Sequence, residues 1–321
     1  MSCAEISIVL PAYNAGAFLR STLASVRRQS FRDWQLLVVD DGSTDDTAAI
    51  VREIQAEDPR IEVLSVANGG VSRARNLGIG HSRAPLIAFL DADDLWASDC
   101  LAVHREHLRQ DPDLGVSFGL VELLTPGGVP TGKICRAPRA PLSAAQLLAE
   151  NLTITTSNWV VRRRLFEEIG GFDPDLRHCE DLEWLLRLRC RSSWRIQAVP
   201  RVTTFYRSSE GGLSSQLPRM EEGWLRMADH VRSYAPDLIA REGALAHAIQ
   251  LRYLALRATR LGLPLPLAWG YLRRAVRRDG RLLVRQPRPT LGAVMTLLRR
   301  TLTGVFHRRG PAAPGRSSGR R

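Results

Sequence analysis

The sequence predicts an α/β protein: a mainly parallel sheet flanked by helices, followed by a basic, helical C-terminal region. Three observations carry this. In the first 120 residues, short continuous apolar runs alternate with amphipathic stretches; a polar cluster follows each apolar run; and arginines crowd the last third of the chain. Uninterrupted apolar strands separated by helical patterns imply βαβ units and a sheet covered on both faces.

The elements follow in order. "ISIVL" (6–10), "WQLLVVD" (34–40), "IEVLSV" (61–66) and "LIAFL" (86–90) read as strands, with helices near 15–29, 45–57 and 71–80 between them. Residues 125–142, "TPGGVPTGKICRAPRAPL", are rich in Pro and Gly and read as a surface loop or insertion. Then "TITTSNWVV" reads as a strand, "RRRLFEEIGG" as a helix closed by glycines, "EDLEWLLRLRC" as an amphipathic helix and "RIQAVPRVTTFYR" (195–207) as a strand pair. These elements divide the chain into a sheet-bearing region at 1–216, with halves of about 1–120 and 121–216, a basic helical region at 217–308 and a disordered tail at 309–321.

Composition is globular, and 321 residues suffice for a large domain plus an appendage. The net charge of +12 is uneven: from residue 217 onward there are 21 arginines and 6 acids, whereas the front is mildly acidic. Lys133 is the single lysine. The five cysteines have neither metal-ligand nor disulfide-framework spacing, so a reducing compartment and structural roles are expected. "MSCAEISIVL" reads as a first strand, not a signal peptide, and no run approaches the roughly 20 apolar residues of a spanning helix. A soluble or peripheral protein is expected.

In open parallel sheets, ligands bind outside the carboxyl ends of the strands, and there the polar clusters fall: "PAYN", "DDGSTDD", "NGG" and "DADD". Asp91, Asp93 and Asp94 close the fourth strand. Carboxylates that close raise one another's pKa unless a cation or donor meets them. A hard divalent cation on a diphosphate needs one or two carboxylates, which "DAD" supplies; the structural alternative is that Asp93 or Asp94 caps a following helix. In "VVDDGSTDDT", Ser43 and Thr44 suit helix capping, while Asp40 and Asp41 suit a nucleobase imide or a ribose hydroxyl.

"SIVLPAYN", "VVDDGSTDDT", "NGGVSRARNLGI", "FLDADDLW", "GGFDPDLRHCEDLEWLLRL" and "FYRSSEGGLS", in this order, closely resemble the inverting family 2 glycosyltransferases of the GT-A fold over residues 4–216. The resemblance implies a nucleotide-sugar donor, a divalent metal (Mn²⁺ or Mg²⁺) and a single displacement onto an acceptor hydroxyl. It implies that Pro11, Ala12, Tyr13 and Asp41 contact the nucleoside, that Arg73 or Arg75 lies near the nucleotide, and that Asp91 and Asp93 form the metal motif, Asp93 being the direct ligand. It implies that Asp181 is the catalytic base, with Glu180 in reserve; the structural alternative for both is a helix-start carboxylate facing the dipole. The family's closing Tyr-Arg is usually followed by histidine, whereas Ser208 and Ser209 stand here, which leaves Arg207 between a phosphate contact and a structural role. His178 reads as a surface or supporting residue.

Two rival classes fit the motifs less well. A sugar-phosphate nucleotidyltransferase would open on a Gly-rich basic phosphate loop, which "PAYNAGAF" lacks; a catalytically silent nucleotide-sugar-binding or membrane scaffold would not need Asp91, Asp93 and Asp181 together. Residues 251–321 hold 17 arginines and one acid, Asp279, among apolar stretches, which suits either an anionic membrane surface or a solvated basic face. No nucleic-acid motif accompanies the charge, so nucleic acid is not an expected partner. The expected acceptor is a surface-polysaccharide or lipid-linked glycan, met in the cytoplasm or on the inner face of the plasma membrane.

Overall fold

The structure is a computed structural model that describes residues 4–207 and 216–307. Strands β1 (Ile6–Ala12), β2 (Trp34–Asp40), β3 (Ile61–Ser65) and β4 (Leu86–Phe89) pair in parallel in the order β3-β2-β1-β4. Helices α1 (Gly16–Arg27), α2 (Thr47–Glu57) and α3 (Val71–His81) lead from each strand to the next. Every residue of β1 is buried, as expected for a strand covered on both faces. The register sets Ala12 beside Asp40 and Asp40 beside Ser65, so the carboxyl ends of these strands form one rim.

Beyond β4 the sheet becomes mixed. Strand β5 (Leu95–Trp96) and helix α4 (Cys100–Gln110) lead to β6 (Leu114–Leu124), which runs antiparallel to β8 (Trp159–Arg162) and parallel to β9 (Arg195–Arg207). β8 closes on β4 and β5 on β9, both antiparallel. A third of the segment read as a loop is β7 (Pro130–Cys135), an exposed edge strand that pairs with β6 through a turn where Gly128 has φ 84°.

Two strand expectations are corrected. In "TITTSNWVV" only the last three residues belong to a strand, β8. Asn151 Oδ1 accepts from the amides of Thr153 (3.2 Å) and Ile154 (3.0 Å), Ile154 sits at φ 71°, and Thr156–Asn158 form a 3-10 turn. Side-chain hydrogen bonds to nearby backbone have outcompeted the ladder. The pair expected at 195–207 is one strand, with a register break against β6 where Phe118 faces Ala198 and Leu120 faces Val202; Pro200, which has no N–H to give a ladder, lies in the break.

Helices α5 (Ala144–Ala149), α6 (Arg164–Ile169) and α7 (Glu180–Arg191) cover the second half of the sheet, where Phe89, Trp159, Phe166, Phe172 and Trp184 pack ring against ring. The chain divides into two compact units that meet at Gly243 and Ala244. The first therefore includes α8 (Leu217–Tyr234), which the sequence assigned to the basic region: Trp224 Nε1 donates to Leu148 O (3.2 Å), and a Cβ on Gly223 would stand 2.5 Å from that of His178.

Helix α9 (Pro236–Arg260) runs into the second unit, which contains α10 (Leu265–Arg278), α11 (Arg281–Arg285) and α12 (Pro287–His307). Its core includes Leu254, Ala258, Leu272, Ala275, Leu282, Ala293 and Leu297. Arg252 joins α9 to α12 by donating to Thr290 Oγ1 (3.1 Å). Ser208, Ser209 and the tail from 309 lie outside the described residues.

Candidate active site

The rim of β1, β2 and β4 collects the acidic clusters. After β1, Tyr13 is 55% exposed, and Asn14 sits at φ 48° with its carboxamide oxygen accepting the Thr44 amide (2.8 Å). The Asp41 amide donates to Ala12 O (2.8 Å), which joins this loop to the one after β2. Pro11 and Ala12 are buried residues at the end of β1, directly before Tyr13 in the chain.

Asp41 is buried, and its two carboxylate oxygens accept the amides of Gly69 (2.7 Å) and Gly70 (2.9 Å). Gly70 has φ 90°, a conformation glycine adopts without penalty, and this aims the two amides at one carboxylate. Each oxygen keeps a second lone pair for another donor. Asp40 is buried too and accepts the Ser43 amide at 3.1 Å, which shapes the turn.

Helix α3 answers which arginine points inward. Arg73 is exposed, while Arg75 is buried. Arg75 Nη2 donates to Asp91 Oδ1 (2.8 Å) and Thr156 Oγ1 (2.7 Å), and Nη1 donates to Glu180 Oε1 (2.8 Å). Burial works against its charge, but Asp91 and Glu180 outweigh that and hold it firmly protonated.

The three aspartates after β4 occupy three environments. Asp91 is partly exposed, held by Arg75 and by the hydroxyls of Thr155 (3.3 Å) and Thr156 (3.4 Å). Burial, then the charge of Asp91, pushes Asp93 up to about 6, against the pull of Arg207. Asp94 is fully buried; it accepts from Ser157 Oγ (2.6 Å) and from the Arg207 amide (3.0 Å), and burial drives its pKa well up. The alternative of a helix cap does not hold, because β5 and not a helix follows Asp94. Asp94 instead fastens the acidic loop to the turn before β8 and to the end of β9.

Glu180 and Asp181 open α7 behind Cys179, a non-glycine residue at φ 63°. Such a backbone persists only where its surroundings enforce it, and it sets the direction of the helix start. Asp181 accepts from Asn151 Nδ2 (2.8 Å) and the Leu182 amide (2.8 Å). Burial and the neighbouring Glu180 charge raise its pKa to about 6, while the Leu182 amide, Arg75 and Asn151 hold it down. A carboxyl so poised is ionised at neutral pH yet basic enough to take a proton.

Arg207 is buried and spends Nε on Asp93 O (2.9 Å) and Nη1 on Pro126 O (2.9 Å), with its guanidinium over the Phe18 ring. These contacts anchor the acidic loop. His178 packs against α8, and burial lowers its pKa.

Among the described residues no three His, Cys, Asp or Glu side chains converge as a metal cluster. A pair of carboxylates is nonetheless the number expected of a hard cation that keeps the rest of its shell for phosphate oxygens and water. The negative charge left uncompensated at Asp93 fits such an ion. Sequence reasoning missed Asn151, Thr155, Thr156 and Ser157, which support Asp181, Asp91 and Asp94; the signal for the last three was the run of hydroxyl side chains itself, read as a strand, and Asn151 lies two residues ahead of that run.

A family model described as glycosyl transferase family 2 matches residues 7–170. The chain is 34% identical over 187 residues to a Bacillus subtilis (strain 168) protein provisionally named teichuronic acid biosynthesis glycosyltransferase TuaG, covering 57% of this chain and 72% of that one. It is 27% identical over 231 residues, 71% of this chain and 87% of the other, to UDP-Glc:alpha-D-GlcNAc-diphosphoundecaprenol beta-1,3-glucosyltransferase WfgD of Escherichia coli. The solved structure of the mannosyltransferase PcManGT from Pyrobaculum calidifontis, in complex with GDP-Man and Mn²⁺, shares the fold: TM-score 0.60 at 19% identity, over 96% of this chain and 89% of that one.

Proposed function

This chain belongs to glycosyl transferase family 2, with a GT-A fold, and on that premise we propose that it moves a sugar from a UDP-sugar to a hydroxyl of a surface-polysaccharide or lipid-linked glycan, inverting the anomeric centre. The rival nucleotidyltransferase and scaffold readings give way to that membership. One observation carries the proposal: a single buried guanidinium, Arg75, joins the acidic loop after β4 at Asp91 to the start of α7 at Glu180, next to Asp181. Donor-side carboxylates and a candidate base thus belong to one connected site.

Tyr13, with the preceding Pro11 and Ala12, receives the base, and Asp41 accepts a donor from the nucleoside. Asp93 and Asp91 would hold Mn²⁺ or Mg²⁺, which supplies positive charge for the leaving diphosphate. Arg75 holds Asp91 in place beside the nucleotide, the exposed Arg73 flanks that site, and Arg207 supports it from the side of Asp93. Asp181 removes the acceptor hydroxyl proton as that oxygen attacks the anomeric carbon. The bond from that carbon to the diphosphate oxygen breaks, and its electron pair leaves with the nucleoside diphosphate. A single displacement inverts configuration, and the base contributes a factor of about 10² to 10⁴.

UDP is favoured by the name of the E. coli relative, and the cation by the Mn²⁺ complex of the solved neighbour. A lipid-linked acceptor sets the reaction in the cytoplasm, peripherally on the inner face of the plasma membrane. The test is nucleoside diphosphate release from a panel of UDP-, dTDP- and GDP-sugars, with and without Mn²⁺, with Asp181→Asn as control. Donor-specific, metal-dependent release lost in that variant supports the assignment; unchanged release removes Asp181 from its role.

A further inference from the structure

The second unit carries an apolar surface that the transfer reaction does not use. On α12, Thr290, Ala293 and Leu297 face inward, yet Leu291, Met295, Leu298 and Leu302 are exposed, at 63%, 59%, 43% and 61%. Their spacing of four, three and four residues puts them on one stripe of the helix. At about 100° per residue, Arg288 and Arg299 follow roughly 70° round the same helix, and both are exposed. Leu283 and Val284 of α11 are exposed as well, beside Arg281 and Arg285.

A helix that is apolar on two faces has one face too many for a solvated bundle. We infer that the outward stripe of α12, with α11 and their arginines, is a docking surface for an anionic phospholipid bilayer. Charge decides between a bilayer and a second copy of the chain. Residues 244–302 contain twelve arginines against one acid, Asp279, which is itself bound by Arg281. Two such faces would repel, whereas an anionic headgroup layer complements the charge and its acyl boundary takes the stripe. Insertion is interfacial: among the described residues no helix is long and apolar enough to cross a membrane. This surface goes beyond the proposed transfer reaction and does not depend on it.

The test is flotation of the full chain with vesicles of phosphatidylcholine, alone or mixed with phosphatidylglycerol, alongside Leu291→Gln/Met295→Gln and Arg285→Gln/Arg288→Gln variants. All substituted positions are exposed, so the fold, followed by circular dichroism, is retained, and donor turnover on a soluble acceptor stays at the wild-type level. The expected result is binding to the anionic vesicles only, weakened by salt, and reduced roughly tenfold or more in each double variant. Absence of vesicle binding overturns the inference, as does binding that the Leu291/Met295 variant leaves unchanged. A dimer in sedimentation that this variant disperses also overturns it, by giving the stripe to a second copy. Loss of vesicle binding with intact turnover separates this surface from the active site.

Discussion

Arg75 Nη2 and Asp91 Oδ1 lie 2.8 Å apart, and through Nη1 the same guanidinium reaches Glu180 Oε1, also at 2.8 Å. The residue links α3, the loop after β4 and the start of α7 from a buried position. Removing one member of a buried ion network leaves the others uncompensated, at about 3–5 kcal/mol. Arg75→Met is therefore expected to lower the midpoint of thermal unfolding and to abolish transfer. Arg75→Lys should restore little, because an ammonium cannot span two carboxylates as a planar fork does. Differential scanning calorimetry and nucleoside diphosphate release check both.

Asp181 has its pKa raised to about 6, chiefly by burial. A carboxyl raised in the folded state holds its proton more tightly there than in the unfolded chain, so its ionisation costs stability as pH climbs from about 4 to 6. Asp181→Asn is expected to lose transfer by about 10² to 10⁴ while melting at a higher temperature than wild type above pH 6, the gain fading by about pH 4. Melting curves across that range, with turnover on the same samples, test the trade.

Asn151 tunes that carboxyl. Its Nδ2 donates to Asp181 Oδ2 at 2.8 Å, and its Oδ1 accepts the turn amides of Thr153 and Ile154. Asn151→Asp keeps the acceptor and replaces the donor by a negative charge. The acid limb of the turnover profile should move up by about a pH unit or more, with activity recovering at alkaline pH. An unshifted limb would assign the titration to another group.

The aspartates after β4 should separate by function. Asp94 is enclosed and engaged by Ser157 and the Arg207 amide, so Asp94→Asn, which can still accept one and pair with the other, is expected to keep most activity. Asp94→Ala should destabilise by roughly 1–3 kcal/mol through unmade buried hydrogen bonds. Asp93→Asn should fold normally and lose metal-dependent turnover, whereas Asp91→Asn should lose turnover and also melt at a lower temperature, because Arg75 loses one of its two carboxylate partners.

Much of this architecture was legible because parallel strands covered on both faces are written as continuous apolar runs: β1 to β4 lie where "ISIVL", "WQLLVVD", "IEVLSV" and "LIAFL" put them. The acidic loops were legible as positions at strand ends. The choice between Arg73 and Arg75 was not, since either could face the nucleotide until α3 was packed against its sheet. Nor was the turn at 151–158, where strand propensity in "TITTSN" competes with hydroxyl and amide groups that hydrogen-bond their own backbone. Asp41 was read as a nucleoside contact, but that Gly69 and Gly70 hold it in place depends on a loop 28 residues away. The outward stripe of α12 needed the bundle, because its inward and outward faces have similar composition.

The most direct test of the site is Mn²⁺ binding followed by electron paramagnetic resonance during titration with UDP, in wild type and Asp93→Asn. Free Mn²⁺ signal should fall as UDP is added to wild type beyond what UDP alone removes, and the variant should lose that excess. Equal uptake by both proteins would contradict an ion held at Asp93, and with it the donor site built around the acidic loop.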